Sequence, residues 1–170
     1  MRTGVQAGVF QGVTYSGAGL STIDAKGRVT MPSQIRDAVL LSSRTNTVFV
    51  AMHPTLPCLI GYGLAEKEQA REDLQFQWRS AVEKGEHFDR DAAGAAAASE
   101  VQINFEANGR FVMPPMLRGI AELGERALFH GSTWHFSIWN PDVLMQQGDA
   151  LRIPKKIAQF YLDEAGGRTK

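Results

Sequence analysis

The chain has 170 residues, of which 44% are hydrophobic and one is cysteine, and its Lys and Arg equal its Asp and Glu at 18 each. This content is sufficient for one compact domain or two small ones with a shared core. The neutral total argues against a surface that binds nucleic acid everywhere, and a single thiol excludes a disulfide framework. No apolar run approaches the ~20 residues of a membrane span, so we expect a cytoplasmic protein without membrane association.

The charges are unevenly distributed along the chain. Residues 1–46 carry five basic and two acidic side chains, whereas residues 64–100 carry five basic and nine acidic ones. Any contact with a polyanion is therefore expected on the N-terminal segment. Glycines at positions 4, 8 and 12 predict that residues 1–14 form a flexible arm.

An internal repeat organises the rest of the chain. Residues 23–36 read IDAKGRVTMPSQIR, and residues 105–118 read FEANGRFVMPPMLR. The two segments are 82 positions apart and share Ala, Gly, Arg, Met, Pro and Arg, with Asp24 aligned to Glu106. Each copy therefore predicts the same turn, in which an acid precedes a Gly-Arg pair.

Each copy predicts the order strand, turn, strand, helix, strand, strand. Alternation of apolar residues places the strands at 20–24, 28–31, 47–51 and 58–62 in the first copy and at 101–106, 110–113, 126–130 and 134–139 in the second. Pro32 and the Pro114–Pro115 pair fit the start of a short helix. Gly124 is predicted to end the second helix in a left-handed conformation.

Further helices are predicted outside the repeated units. Residues 64–84 and 154–167 have amphipathic patterns, and residues 140–148 begin with Asn140 as an N-cap. The small-residue stretch 91–99 fits either a helix or a linker. The acidic residues of 64–91 are predicted on a solvated helix face or at a subunit contact, and the final residues are expected to fray.

The doubled turn has two interpretations. In the structural one, the acid starts the turn, Gly supplies a positive φ, and Arg pairs with the acid. In the functional one, Lys26 and Arg28 at the tip of a rigid hairpin contact DNA, because the major groove admits a two-stranded ribbon. Arg binds guanine or phosphate bidentately, whereas Lys neutralises phosphate as a point charge. Spacing alone leaves both interpretations open.

The sequence resembles the MraZ family of bacterial transcriptional regulators, which carry tandem SpoVT-AbrB-type domains. The resemblance covers about residues 15–145 and rests on STIDAKGRVTMPSQIR, CLIGY, EANGRFVMPPMLR and HFSIW. It implies an α+β fold of two pseudo-symmetric, swapped-hairpin (AbrB-like) β-barrel repeats with short helices. It also implies assembly into a ring of subunits and DNA binding through the hairpins.

By motif position, the resemblance assigns roles to individual residues. Lys26, Arg28, Arg36 and Arg110 are the DNA-binding candidates, and Asp24, Gly27, Glu106 and Gly109 shape the hairpins. Asn108 replaces Lys26 in the second copy, so this copy is expected to bind DNA more weakly or to be purely structural.

The expected function is that of a sequence-specific regulator of transcription. The resemblance implies that it represses its own promoter and the division and cell-wall gene cluster. It is expected to bind double-stranded DNA with short direct repeats as a homo-oligomer, in the cytoplasm and on the nucleoid. The predicted domains are an arm (1–14), a first repeat (15–65), a helical insert (66–100), a second repeat (101–145) and a C-terminal helix and tail (146–170). No cofactor, metal or small-molecule substrate is expected.

Two other classes of function remain as alternatives. An antitoxin-like or oligomeric protein-binding module uses the same hairpin domain, but usually as one copy with a partner-binding tail. An enzyme would need Asp24 and Glu106 to face one another as catalytic carboxylates. Each acid has its own Arg nearby, which favours a charged, unreactive carboxylate, so we expect no enzymatic activity.

Overall fold

The computed structural model of the chain describes residues 12–167, and the predictions for the first eleven and last three residues lie outside this range. The strands are β1 (Ala18–Thr22), β2 (Arg28–Thr30), β3 (Thr47–Met52), β4 (Leu59–Tyr62), β5 (Val101–Asn104), β6 (Arg110–Val112), β7 (Arg126–Gly131) and β8 (Phe136–Trp139). The helices are α1 (Ser33–Ser43), α2 (Leu64–Lys84), α3 (Arg90–Ala97), α4 (Pro115–Ile120), α5 (Pro141–Met145) and α6 (Arg152–Gly167), with a 3-10 turn at Asp149–Leu151. The predicted α+β class is confirmed.

The main sheet has six antiparallel strands in the order β1-β7-β8-β4-β3-β5. The counterparts in the two copies are β1 and β5, β3 and β7, and β4 and β8. If each strand is replaced by its counterpart, the same order is obtained when the sheet is read from the other edge. The sheet therefore has an internal two-fold relation. The first strand of each copy pairs with a strand of the other copy: β1 with β7, and β5 with β3. Neither copy could form the sheet alone.

The core lies beneath this sheet and receives equivalent residues from both copies. Val29, Met31 and Ile35 of the first copy are buried, and so are their counterparts Phe111, Met113 and Leu117. A smaller apolar cluster, which includes Trp139 and Ala158, holds α5 and α6 against the β7–β8 end. Burial of apolar surface at ~25 cal/mol per Å² is the main term that stabilises such a core.

Local signals determine where most helices begin and end. Pro32 precedes α1, and Pro115 is the first residue of α4. Proline is tolerated there because a backbone N–H at this position has no partner within the helix. The predicted helix 64–84 is confirmed, and it ends at Gly85, which has a φ of +68°. The Asn140 side chain accepts a hydrogen bond from the backbone N–H of Asp142 at 2.9 Å, as expected of an N-cap.

Three local predictions need correction or completion. β1 ends at Thr22 rather than at residue 24, because the next residues already form the turn. The stretch 91–99 is mainly helical, since Asp89 caps α3 with its side chain. Gly124 does not end α4, which stops at Ile120, and Glu122 adopts the left-handed conformation instead with a φ of +51°.

The buried position of Glu66 differs from the prediction that the acidic residues of 64–91 lie on a solvated helix face or at a subunit contact. The residue is 8% exposed, and its carboxylate accepts hydrogen bonds from Tyr15 Oη at 2.9 Å and Ser42 Oγ at 2.5 Å. The backbone N–H groups of Val13 and Gly63 also donate to it, at 3.0 and 3.1 Å. This one carboxylate therefore joins the segment before β1, the end of α1 and the first turn of α2.

The described residues contain no helix that is both long and apolar enough to cross a bilayer.

We predict that Gly61→Ala destabilises the protein by about 1–3 kcal/mol, because a Cβ at this position in β4 would overlap the Phe136 ring. The measurement is the midpoint of urea unfolding at one protein concentration. Gly119→Ala in α4 is the matched control, since open space surrounds that position and Ala favours a helix. An unchanged midpoint for Gly61→Ala would show that β4 and β8 do not pack this closely.

We predict that Glu66→Ala lowers the free energy of unfolding by at least about 2 kcal/mol, because it leaves buried donors from three segments without an acceptor. Urea unfolding followed by tryptophan fluorescence measures the loss. Glu68→Ala, an exposed position on the same helix, should change stability by less than about 0.5 kcal/mol. Equal effects of the two substitutions would contradict the role assigned to Glu66.

Candidate nucleic-acid interface

The two predicted turns have the same backbone geometry. In the first, the Gly27 N–H donates to Asp24 O at 2.9 Å and the Asp24 N–H donates to Arg28 O at 3.1 Å. In the second, the Gly109 N–H donates to Glu106 O at 2.8 Å and the Glu106 N–H donates to Arg110 O at 2.8 Å. Gly27 and Gly109 have φ values of +81° and +90°, which L side chains rarely adopt.

The strands that flank each turn do not continue as a pair, which differs from the expected hairpin. Beyond the turn, β1 joins β7 in the main sheet, whereas β2 joins β6 in a separate two-stranded ribbon. The ribbon is extended by two reciprocal bonds: the Met31 N–H donates to Gly109 O at 3.0 Å, and the Met113 N–H donates to Gly27 O at 2.8 Å. Each turn is therefore held by the other copy.

This ribbon brings Arg28 and Arg110 to the same outer face. In the antiparallel register, Arg28 lies opposite Val112 and Arg110 lies opposite Thr30, while Val29 and Phe111 point into the core. The two arginines are thus diagonal neighbours across the ribbon, a relation in which residues are ~7–8 Å apart and long side chains can meet. The sequence analysis names both residues as candidates but does not predict their proximity, because it assigns them to separate hairpins.

Asp24 fixes the backbone of the first turn and orients Arg28. Its Oδ1 accepts from the backbone N–H groups of Lys26 and Arg28, both at 2.9 Å, and its Oδ2 accepts from Arg28 Nε at 2.5 Å. The hydrogen bonds from Arg28 and the nearby guanidinium lower the pKa of the Asp24 carboxyl. Asp24 is therefore ionised at neutral pH, which suits a structural acceptor and not a general acid.

Glu106 holds Arg110 differently. Its two carboxylate oxygens accept from Arg110 Nε at 3.1 Å and Nη2 at 3.0 Å, so the pair is bidentate. These hydrogen bonds raise the pKa of Arg110, and the charge of Asp24 adds to the effect. The backbone N–H of Arg110 donates to the Asn108 side chain at 3.0 Å, whereas the equivalent N–H of Arg28 in the first turn donates to the Asp24 carboxylate.

The two turns consequently differ in the positively charged side-chain groups that are available to a ligand. Arg28 donates to Asp24 through Nε, which leaves both terminal amino groups for a ligand. Lys26 is exposed at the tip of the turn and takes part in no ion pair among residues 12–167. At the second tip, uncharged Asn108 stands at the position of Lys26.

Arg36 lies beside the second turn, although it belongs to the first copy. Its aliphatic stem is the nearest side chain to Gly109, and a Cβ on Gly109 would lie 3.3 Å from Arg36 Cδ. Its guanidinium donates from Nε and Nη2 to Asp37 Oδ1 at 3.0 and 2.9 Å. Lys26, Arg28 and Arg110 therefore lie on or beside the β2–β6 ribbon, and Arg36 supports the ribbon from the α1 side.

Other candidate chemistry is limited in the part of the chain that the structure describes. His53 and His135 lie with ring centroids 6.1 Å apart, and burial lowers the pKa of both imidazoles. No group of three or more His, Cys, Asp or Glu side chains with the geometry of a metal site occurs among residues 12–167. Cys58 is buried, and burial raises the pKa of its thiol to about 12.

Comparisons with known proteins identify relatives over most of the chain, whereas no protein-family model matches it. The chain is 34% identical over 136 residues to "Transcriptional regulator MraZ" of Pseudomonas aeruginosa (strain LESB58), which covers 80% of this chain and 86% of that protein. It is 36% identical over 129 residues to proteins with this name from Pseudomonas putida (strain GB-1) and Pseudomonas entomophila (strain L48), with 75% of this chain and 81% of those proteins covered. At this identity and coverage, the chain belongs to the MraZ family.

Proposed function

We propose that this protein is a DNA-binding transcriptional regulator that reads DNA with the β2–β6 ribbon. The observation that carries the proposal is the ribbon itself, which presents Arg28 and Arg110 on one exposed face with Lys26 at its tip. A two-stranded ribbon fits the major groove of B-DNA, where an Arg fork matches guanine O6 and N7. The relatives named as transcriptional regulators support the same conclusion.

The first turn is proposed as the reading element. Arg28 binds Asp24 through Nε, so its terminal amino groups can bind a guanine edge. Lys26 neutralises a phosphate, which adds affinity without sequence information. Arg110 contributes less, because its fork is already paired with both oxygens of Glu106.

The assembly is proposed to be a ring-like homo-oligomer of subunits with two swapped-hairpin, AbrB-like barrel repeats. The exchange of first strands between the copies and the shared ribbon support the swapped arrangement within one subunit, and the ring is proposed from the resemblance to the family. One ribbon supplies only ~1–3 kcal/mol of discrimination for each bidentate base contact. Several ribbons on one assembly would bind short direct repeats together, and their avidity multiplies affinity by ~10²–10⁴.

The proposed role is repression of the gene's own promoter and of the division and cell-wall gene cluster, in the cytoplasm and on the nucleoid. The proposed domain boundaries are those of the two repeats (15–65 and 101–145), joined by the helical insert (66–100) and flanked by the arm (1–14) and the C-terminal helix and tail (146–170). Binding to upstream DNA that contains direct repeats would support this role.

We predict that Arg28→Ala weakens binding to the DNA upstream of the gene by at least ~10-fold, because one bidentate base contact is lost in every engaged ribbon. Arg110→Ala should weaken binding less, since Glu106 already occupies that guanidinium. Fluorescence anisotropy with a labelled duplex measures both affinities, and light scattering checks that assembly is unchanged. Lys84→Ala, at an exposed position at the end of α2, is the control for loss of one positive charge. Equal binding by wild type and Arg28→Ala would contradict the proposed reading element.

We predict that Lys26→Ala weakens binding by a similar factor on specific and unrelated duplexes, because a phosphate contact carries no sequence information. The slope of log affinity against log salt should fall by ~0.9 for each ribbon that contacts DNA. Anisotropy titrations between 50 and 200 mM salt measure the slope. An unchanged slope would exclude a phosphate contact by Lys26.

A further inference from the structure

The outer face of the β2–β6 ribbon carries one apolar side chain among polar ones. The residues of this face are Arg28 and Thr30 of β2, and Arg110 and Val112 of β6. Val112 is 53% exposed, and among the exposed large apolar residues of 12–167 it alone lies in β2 or β6. Its counterpart in the first copy is Thr30, so this apolar surface is present in only one of the two strands.

Packing within the subunit does not require an apolar side chain at position 112. β6 contacts the core through Phe111, which is 4% exposed, and successive side chains of a strand point to opposite faces. Val112 therefore points to the same side of the ribbon as Arg28 and Arg110. A single exposed valine is ordinary on a protein surface, so its neighbours decide whether it has a role.

The neighbours of Val112 belong to the proposed reading element. In the antiparallel register, Val112 lies directly opposite Arg28, a relation in which Cβ atoms are ~4.5–5.5 Å apart. A Cβ placed on Gly27 would lie 3.8 Å from Val112 Cγ1, so the valine also flanks the first turn. The residue thus lies beside the arginine that is proposed to bind a guanine edge.

The major groove offers one apolar group to such a side chain. Stacked bases are ~3.4 Å apart along a strand, so a groove that receives Arg28 also receives Val112 within about one or two base-pair steps. A valine side chain has no hydrogen-bond donor or acceptor, and the apolar group on the base edges is the C5-methyl of thymine. Contact with this methyl group is a form of direct base readout.

We propose that Val112 contacts the C5-methyl group of a thymine close to the guanine that Arg28 binds. The inference rests on the proposed function and adds a second specificity-determining residue to the ribbon. The guanidinium fork selects guanine through O6 and N7, whereas Val112 selects thymine over cytosine. Cytosine lacks the methyl group and would bring its N4 donor toward a side chain that has no acceptor.

Replacement of thymine by deoxyuridine tests the contact, because uracil lacks only the methyl group and keeps its pairing groups and O4. The probe is a labelled duplex of the DNA upstream of the gene, with one thymine position changed at a time. We expect wild type to bind one of these duplexes about four-fold more weakly in fluorescence anisotropy, the factor that corresponds to burial of one methyl-sized group. Substitution of thymines away from the ribbon should leave affinity unchanged.

Val112→Ala identifies the side chain that makes the contact. It should bind the thymine duplex about four-fold more weakly than wild type, and it should no longer distinguish thymine from uracil at that position. The two losses are then non-additive, as expected for groups in direct contact. Val82→Ala is the matched control, since Val82 is 62% exposed near the end of α2, outside the ribbon, and this variant should discriminate like wild type. Thermal unfolding and light scattering show that fold and assembly are unchanged.

Several outcomes would overturn the inference. It is wrong if no uracil duplex weakens wild-type binding, or if the effects of uracil and Val112→Ala simply add. It is also wrong if Val112→Ala lowers the mass of the assembly while uracil has no effect, because the valine is then a subunit contact. Loss of affinity in Arg28→Ala without any effect of uracil would leave the proposed function intact. If wild type does not bind the upstream DNA, the proposed function and this inference fail together.

Discussion

The reciprocal bonds between the two turns are the constraint on which the rest of the structure depends. Each turn ends in a glycine carbonyl that accepts a hydrogen bond from the backbone N–H of the methionine in the other copy, Met31 or Met113. β2 and β6 have three residues each, and among the described residues they form a ladder only with one another. A short strand without a partner would leave its backbone groups unpaired at a cost comparable to lost hydrogen bonds. Both copies of the motif are therefore needed for folding, independently of any role in binding.

Elements determined by neighbouring residues could be predicted from the sequence. The limits of α2 follow from an amphipathic pattern that ends in Gly85, and the two turns follow from glycines at equivalent positions. The alternation of polar and apolar residues around Val29 predicts an exposed Arg28, and Arg28 is exposed in β2. These signals act within a few residues, where local propensity and hydrophobic period agree.

Elements determined by distant residues could not be predicted in this way. The proximity of Arg28 and Arg110 depends on pairing between strands 82 positions apart, and no local pattern identifies the partner of β2. Glu66 has the composition of a surface helix residue, yet Tyr15 and Ser42 bury and satisfy it from other segments. Charge alone suggests exposure, and only the tertiary hydrogen bonds make burial of this carboxylate possible.

The two turns share a backbone conformation but differ in the hydrogen bonds between the acid and the arginine. In both turns an acid holds an arginine, yet Asp24 is short enough to bind two backbone N–H groups and takes only Nε of Arg28. Glu106 is one methylene longer and takes two nitrogens of Arg110, while Asn108 binds the backbone in its place. One carbon atom therefore changes how many donors the arginine retains for a ligand. Both turns are therefore folded in the same way, but the more available guanidinium, that of Arg28, lies on the first turn together with Lys26.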